Sequence, residues 1–215
     1  MPSVLITGFG PFPGVAVNAS GMLVPRLARA ARRRFVGVHV HTAILPTEWG
    51  RGPARARAAH ERASPDISIH FGVSGRAQGF VIERRGVNVC LHTEDGAGKL
   101  PPLDVLDPNG PKRRAVTLPV AGIVARLKSL GLPAVTSDDA GSYLCNAVLY
   151  QSLGLTGADA RGMGCGMAGF VHLPSSLAPS PLADEGHSGP LTFEQALAGS
   201  LEIIAVCLDA GRVVA

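Results

Sequence analysis

Apolar residues recur along this chain in two alternating formats. Short runs read as buried strands, and longer Ala-rich stretches with apolar positions three and four apart read as helices. Strands are expected at Val4–Thr7, Val36–Leu45, Asp66–Val73, Ala134–Thr136 and Gly166–Leu173. Helices are expected from Asn18 or Ser20 to about Arg34, then over Trp49–Ala63, Val120–Leu130, Ser142–Leu153 and Thr192–Leu208. Pro25 is an awkward guest in the first of these, while Thr192 with Gln195 three residues on is a capping-box pattern for the last. Between Gly86 and Arg114 the periodicity fades into Gly, Pro and Asp, an irregular excursion of the kind that often carries function. Strands alternating with helices predict an α/β layer fold with a largely parallel or mixed sheet.

Composition narrows the picture. With 46% hydrophobic and 17% charged residues in 215, the chain can fill a core and is not a disordered segment. The length and the lack of a repeat or linker predict one domain over 1–215, with the irregular insertion at about 86–114. No uninterrupted apolar stretch of about 18 residues is present, which argues against a membrane span. Met1-Pro2-Ser3 runs directly into the first strand, so no signal peptide is read. Cys90, Cys145, Cys165 and Cys207 lack the spacing of a zinc site or disulfide framework, and a reduced, cytoplasmic protein is expected. Net charge is +4, but the basic residues are mostly arginines on helices, which read as a solvated face. With only 5% aromatic residues, base stacking has little to work with, and nucleic acid is not an expected partner.

Reactive residues gather where an α/β sheet builds its sites, beyond the strand ends. Gly8-Phe9-Gly10-Pro11-Phe12 follows the first strand, and Gly72-Val73-Ser74-Gly75 leads toward Glu83. Asp139-Ala140-Gly141-Ser142-Tyr143-Leu144-Cys145-Asn146 follows the strand at 134–136, and His172 closes the strand before Pro174. Cys145 falls about one turn into a helix, where N–H groups and the dipole favour a thiolate; its plainer reading is a small core residue. A carboxylate next to Phe80-Val81-Ile82 needs a partner if buried, and Arg84, Arg85 or a histidine would serve Glu83. Cys145, His172 and a carboxylate together would form a thiol-hydrolase constellation. His39 and His41 alternate along one strand, with no neighbouring pattern that makes a metal site.

These blocks resemble the pyroglutamyl peptidase I family of cysteine peptidases, over nearly the whole chain from Val4 to about Leu208. Thr7-Gly8-Phe9-Gly10-Pro11-Phe12 with Val17-Asn18-Ala19-Ser20 carries the resemblance, as do Gly72-Val73-Ser74-Gly75 with Glu83 and Asp139 to Cys145. Ala168-Gly169-Phe170-Val171-His172-Leu173-Pro174 completes it. The resemblance implies a three-layer α/β/α sandwich with a mixed central sheet. It implies Cys145 as nucleophile, His172 as base and Glu83 as acid, acting on peptides with N-terminal pyroglutamate through a thioester and without metal or organic cofactor. Phe9, Phe12, Asn18, Thr47, Tyr143 and Leu144 fall on substrate-binding positions. No membrane partner is implied, and the resemblance leaves room for a homo-oligomer. Where many bacterial members have Asp-Ala-Arg-Ile-Pro-Asp-Asn, this chain has Leu91-His92-Thr93-Glu94-Asp95-Gly96, with Thr93 in place of the arginine. Gly10 and the Gly-Val-Ser-Gly and Asp-Ala-Gly-x-Tyr-Leu-Cys blocks look closer to the animal-type branch. The rival expectation is a family member that has lost turnover and binds or regulates instead.

Overall fold

The computed structural model describes residues 1–12, 14–156, 166–177 and 191–213. Its central sheet has six strands. They are β1 (Ser3–Phe9), β2 (His39–Leu45), β3 (Ile67–Ser74), β4 (Phe80–Glu83), β7 (Ala134–Ser137) and β8 (Met167–Pro174), in the order β2-β1-β3-β8-β4-β7. All neighbours run parallel except β4 and β8, so the sheet is mixed. A separate antiparallel pair, β5 (Arg85–Val87) and β6 (Arg113–Ala115), closes the two ends of the excursion. That pair shortens the irregular stretch to 88–112.

The five α-helices seen among the described residues are α1 (Ala19–Arg34), α2 (Arg51–Ala63), α3 (Val120–Ser129), α4 (Leu144–Leu155) and α5 (Phe193–Val213). Strand alternation divides the core between the two sheet faces. Val4 and Ile6 of β1, Ile67, Ile69 and Phe71 of β3, and Val171 and Leu173 of β8 pack in one cluster with α1, α3 and α5. Leu5, Phe9, Ala168 and Phe170 point the other way, into a cluster with α2 and α4. This is the expected α/β/α sandwich. The α2/α4 face also receives the polar residues that alternate with the first set, Thr7, Ser68, His70 and His172.

The differences from the sequence reading have local causes. β2 starts at His39 rather than Val36 because Gly37 takes a positive φ of 84° and Val36 is left exposed. Phe80–Glu83, legible only as an apolar triplet, is a strand because it sits between β8 and β7. α4 starts at Leu144 rather than Ser142. Gly141 has φ +76°, and the Ser142 carbonyl is taken by the Leu91 N–H at 2.6 Å. The capping box holds, with the Thr192 N–H donating to Gln195 Oε1 and the Gln195 N–H to Thr192 Oγ1. No helix among the described residues is long and apolar enough to cross a membrane.

Candidate active site

Three elements converge on one point of the α2/α4 face. β8 carries His172, which lies level with Gly72 of β3 on one side and Val81 of β4 on the other. β4 ends on Glu83, which shares its face with Val81 because Phe80 and Ile82 are spent on the opposite core. α4 brings Cys145 as its second residue, nearer the helix start than the sequence implied. The N-cap, Tyr143, supplies no side-chain hydrogen bond to the first turn of α4, which holds Cys145.

His172 Nδ1 and Glu83 Oε1 are 2.8 Å apart, with Glu83 1% and His172 7% exposed. The other candidate partners of Glu83 are engaged elsewhere. Arg84 pairs with the Asp138 carboxylate, and Arg85 Nε donates to the Asp138 carbonyl at 3.0 Å. Glu83 Oε2 is buried with no hydrogen-bond partner among the described residues. Burial by itself pulls the His172 pKa down. The charge of Cys145 and a hydrogen bond to it, with the bond and charge of Glu83, outweigh burial and raise it to about 10. The imidazole is thus held between the Cys145 sulfur and the Glu83 carboxylate, whose negative charges favour its protonated form.

The floor beneath these groups is aromatic. The Phe170 ring lies 4.8 Å from the His172 ring, tilted by 48°, and 6.3 Å from Phe9. Gly72 is what makes room. A Cβ there would come 2.7 Å from Phe170 Cζ and 3.1 Å from Cys145 Sγ. Gly72 stands in the Gly72-Val73-Ser74-Gly75 block, and the close approach of two side chains explains why glycine is there. Phe170 and Asn146 also form the site, although the sequence assigns neither a role in it. Asn146 is fully buried; its Oδ1 accepts from the Val87 N–H at 2.9 Å, and its Nδ2 donates to the carbonyls of Val87 and Val89. It therefore splices β5 onto the turn that presents Cys145. Its place directly after Cys145 was the available signal.

The remaining expected positions divide by location. Phe9 and Leu144 are core residues, 2% and 1% exposed, that back the site. Asn18 is the α1 cap. Its Oδ1 accepts from Ser20 and its Nδ2 donates to the Gly10 carbonyl, so its polar atoms fix the first loop. Thr47 is buried, with Oγ1 donating to the Pro11 carbonyl and its own carbonyl accepting from Gly96. Phe12 is half-buried and bridges to Val15. Tyr143 is half-buried, edge-on to Trp49 at 5.1 Å, and its hydroxyl donates to the Glu94 carbonyl. Thr93 gives its carbonyl to the Trp49 indole N–H at 3.0 Å. Loop 91–99 thereby lies over Thr47, Trp49 and Tyr143.

Of the other cysteines, Cys207 is buried, which pushes its thiol up to about 12, and Cys90 is raised by partial burial and the Asp104 charge. Cys165 lies outside the described residues.

A family model described as pyroglutamyl peptidase matches residues 2–209. The chain is 35% identical over 175 residues to a pyrrolidone-carboxylate peptidase of Chromobacterium violaceum, covering 81% of this chain and 78% of that one. It is 30% identical to the pyrrolidone-carboxylate peptidase of Pyrococcus furiosus, covering 96% of both. The structure of pyrrolidone carboxyl peptidase from Thermococcus litoralis superimposes with a TM-score of 0.84 at 26% identity, over 100% of this chain and 97% of that one.

Proposed function

The chain belongs to the pyroglutamyl peptidase family, and we propose that Cys145, His172 and Glu83 carry out its reaction. The protein is a cysteine peptidase that removes N-terminal pyroglutamate from peptides. The observation that supports this residue assignment is the buried 2.8 Å contact between His172 Nδ1 and Glu83 Oε1, with Cys145 on the same imidazole.

The Cys145 thiolate attacks the pyroglutamyl carbonyl carbon, and a C–S bond forms as the carbonyl oxygen takes up negative charge. The N–H groups at the start of α4, the positive end of the helix dipole, are the candidate donors to that charge. With Nδ1 occupied by Glu83, Nε2 of His172 is the proton carrier. It gives its proton to the departing amine as the C–N bond breaks, leaving a thioester. The neutral imidazole then takes a proton from water as that water attacks the thioester. The C–S bond breaks, and pyroglutamate leaves with the thiolate restored. Glu83 orients the ring and balances the imidazolium charge. The lactam ring is uncharged and suits mostly apolar surroundings; Phe9, Phe12, Asn18, Thr47, Tyr143 and Leu144 are the positions assigned to its binding. The free thiols at Cys90, Cys145 and Cys207 suit a reducing, cytoplasmic setting.

Release of a chromophore from a pyroglutamyl amide, with and without a thiol-alkylating agent, tests the reading. Cys145→Ser is expected to fold and to lose nearly all activity. A variant retaining more than about a tenth of the wild-type rate would remove Cys145 as nucleophile, since loss of one such residue costs far more.

A further inference from the structure

The three reacting groups are not held in the same way. His172 and Glu83 sit on neighbouring strands, so the sheet itself fixes their separation. Cys145 comes from a helix on the face of that sheet, and apolar packing is non-directional and sets no register by itself. Asn146 supplies what packing does not. It follows Cys145 directly and is fully buried. Its Oδ1 accepts from the Val87 N–H at 2.9 Å, and its Nδ2 uses both hydrogens, on the carbonyls of Val87 at 2.8 Å and Val89 at 3.2 Å. Val87 is four residues beyond Glu83, and the span between them is tied down. The Arg84 N–H donates to the Ser137 carbonyl, the Arg84 carbonyl accepts from the Val116 N–H, and Arg85–Val87 is paired with β6. One turn further along α4, β5 meets the helix backbone. A Cβ on Gly86 would come 2.9 Å from Tyr150 Cα, so no side chain stands between the two chains there.

We infer that Asn146 is a positioning residue of the reaction, locking α4 to the chain that leaves Glu83 and so setting the distance from Cys145 Sγ to the His172 imidazole. The inference rests on the assignment of Cys145, His172 and Glu83 above, and adds a residue that acts only through Cys145. Without the lock, Cys145 drifts from His172. The thiolate–imidazolium attraction falls with separation, and a misplacement of about 1 Å can cost about 100-fold in rate. Phe9, Phe12, Asn18 and Thr47 belong to other elements, so binding suffers less than chemistry.

The test compares three variants of the full chain on a short pyroglutamyl amide. Asn146→Ala should lower kcat about 100-fold, with KM within about threefold of wild type. Gly86→Ala leaves the Asn146 amide in place but forces β5 away from α4, and should lower kcat at least about tenfold with the same split. Ser152→Ala removes a buried bond to His70 from a later turn of the same helix, and should keep kcat within about twofold even as it lowers the melting temperature. Alkylation of each cysteine by iodoacetamide at about pH 6, read by peptide mass, is the second measurement. The titratable groups that act on Cys145 are His172 on β8, Glu83 on β4 through that imidazole, and Tyr143 at the helix cap, and none of them is altered. Cys145 should react at least about tenfold more slowly in Asn146→Ala and Gly86→Ala than in wild type, because a thiol without its imidazolium is mostly protonated at that pH. Buried Cys207 should stay unmodified throughout. Wild-type kcat and Cys145 reactivity in folded Asn146→Ala would overturn the inference; if that variant does not fold, the same result in Gly86→Ala would. So would an equal kcat loss in Ser152→Ala, or Cys207 reacting in step with the loss, since either marks a general loosening of α4. A wild-type enzyme that stays active after Cys145 is alkylated would instead strike the nucleophile assignment.

Discussion

The imidazole of His172 is pulled two ways, by burial that opposes its charge and by Cys145 and Glu83 that favour it. The second pull wins, and the ring holds its proton up to about pH 10. Because this folded pKa lies above the unfolded value of 6.5, the stabilisation from the imidazolium is fully present below pH 6.5. It is lost as the pH rises through about 10. The alkaline fall of kcat/KM is therefore expected well above neutrality, and it belongs to the Cys145–His172 pair rather than to one group. Glu83→Gln removes the charge and weakens the bond at Nδ1. It should shift that alkaline limb toward neutrality and cut kcat by a large factor with KM near wild type, and lower the melting temperature because the buried imidazolium loses its counter-charge. A pH–rate series on this variant beside its melting curve checks both parts; near-normal kcat would leave a Cys–His dyad. Gly72→Ala tests the floor of the site. The new methyl has to displace Phe170 or Cys145 Sγ, so kcat should drop at least about tenfold, by a misplacement small in distance. Single-turnover acylation of the Gly72→Ala variant is the direct measurement.

At the scale of elements, the site depends on strands that keep their alternation and on a helix tied to them by buried polar bonds. His70 is the main tie. Its Nδ1 lies 2.7 Å from Thr7 Oγ1 of β1, and its Nε2 lies 2.7 Å from Ser152 Oγ of α4, so one imidazole spans β1, β3 and α4. Complete burial, with the charge of His60 adding to it, lowers its pKa to about 3. The sign is opposite to that of His172. The unfolded chain takes up a proton that the folded chain refuses, so the stability conferred by neutral His70 is lost as the pH falls below 6.5. At pH 5 the loss amounts to about 2 kcal/mol for this one group, at 1.36 kcal/mol per pH unit. His70→Gln keeps a donor and an acceptor but cannot titrate. Its urea midpoint should change less between pH 7 and pH 5 than that of wild type, even if it starts lower.

At the scale of the whole molecule, the excursion at 88–112 is the part that most needs fastening, since it contributes no strand to the central sheet. Asp95 is the rivet. It is 3% exposed; Oδ1 accepts from the N–H groups of Ala97 and Lys99, and Oδ2 accepts from that of Trp49 at 2.8 Å. Burial pushes its carboxyl up, but the three N–H donors and the Lys99 charge outweigh it and hold the pKa below the usual carboxylate range. Asp95→Ala frees those donors and loosens loop 91–99 from Trp49 and Tyr143. KM for a short pyroglutamyl amide should rise several-fold, more than kcat falls, with about 1–3 kcal/mol of stability lost. Steady-state kinetics and chemical denaturation of the same preparation separate this from a general unfolding, which would lower the active fraction and leave KM unchanged.

The hydrophobic pattern by itself determined the layered α/β architecture, because burial on two sheet faces writes a local period into the chain. Val4, Leu5 and Ile6 show it, as does the run from Gly169 to Leu173. The sequence also marked Cys145, His172 and Glu83, since reactive residue types at strand and helix ends stand out against an apolar background. It left the partner of Glu83 open among Arg84, Arg85 and a histidine. Only the sheet order decided it, by laying β4 antiparallel beside β8 and giving both arginines to Asp138. The strand at Phe80–Glu83 was likewise invisible, because four residues carry too short a pattern to outweigh their neighbours. Gly72, Phe170, Asn146 and Asp95 acquire their roles from contacts between segments far apart in the chain. No local period records such contacts, so their roles exist only once the layers have closed.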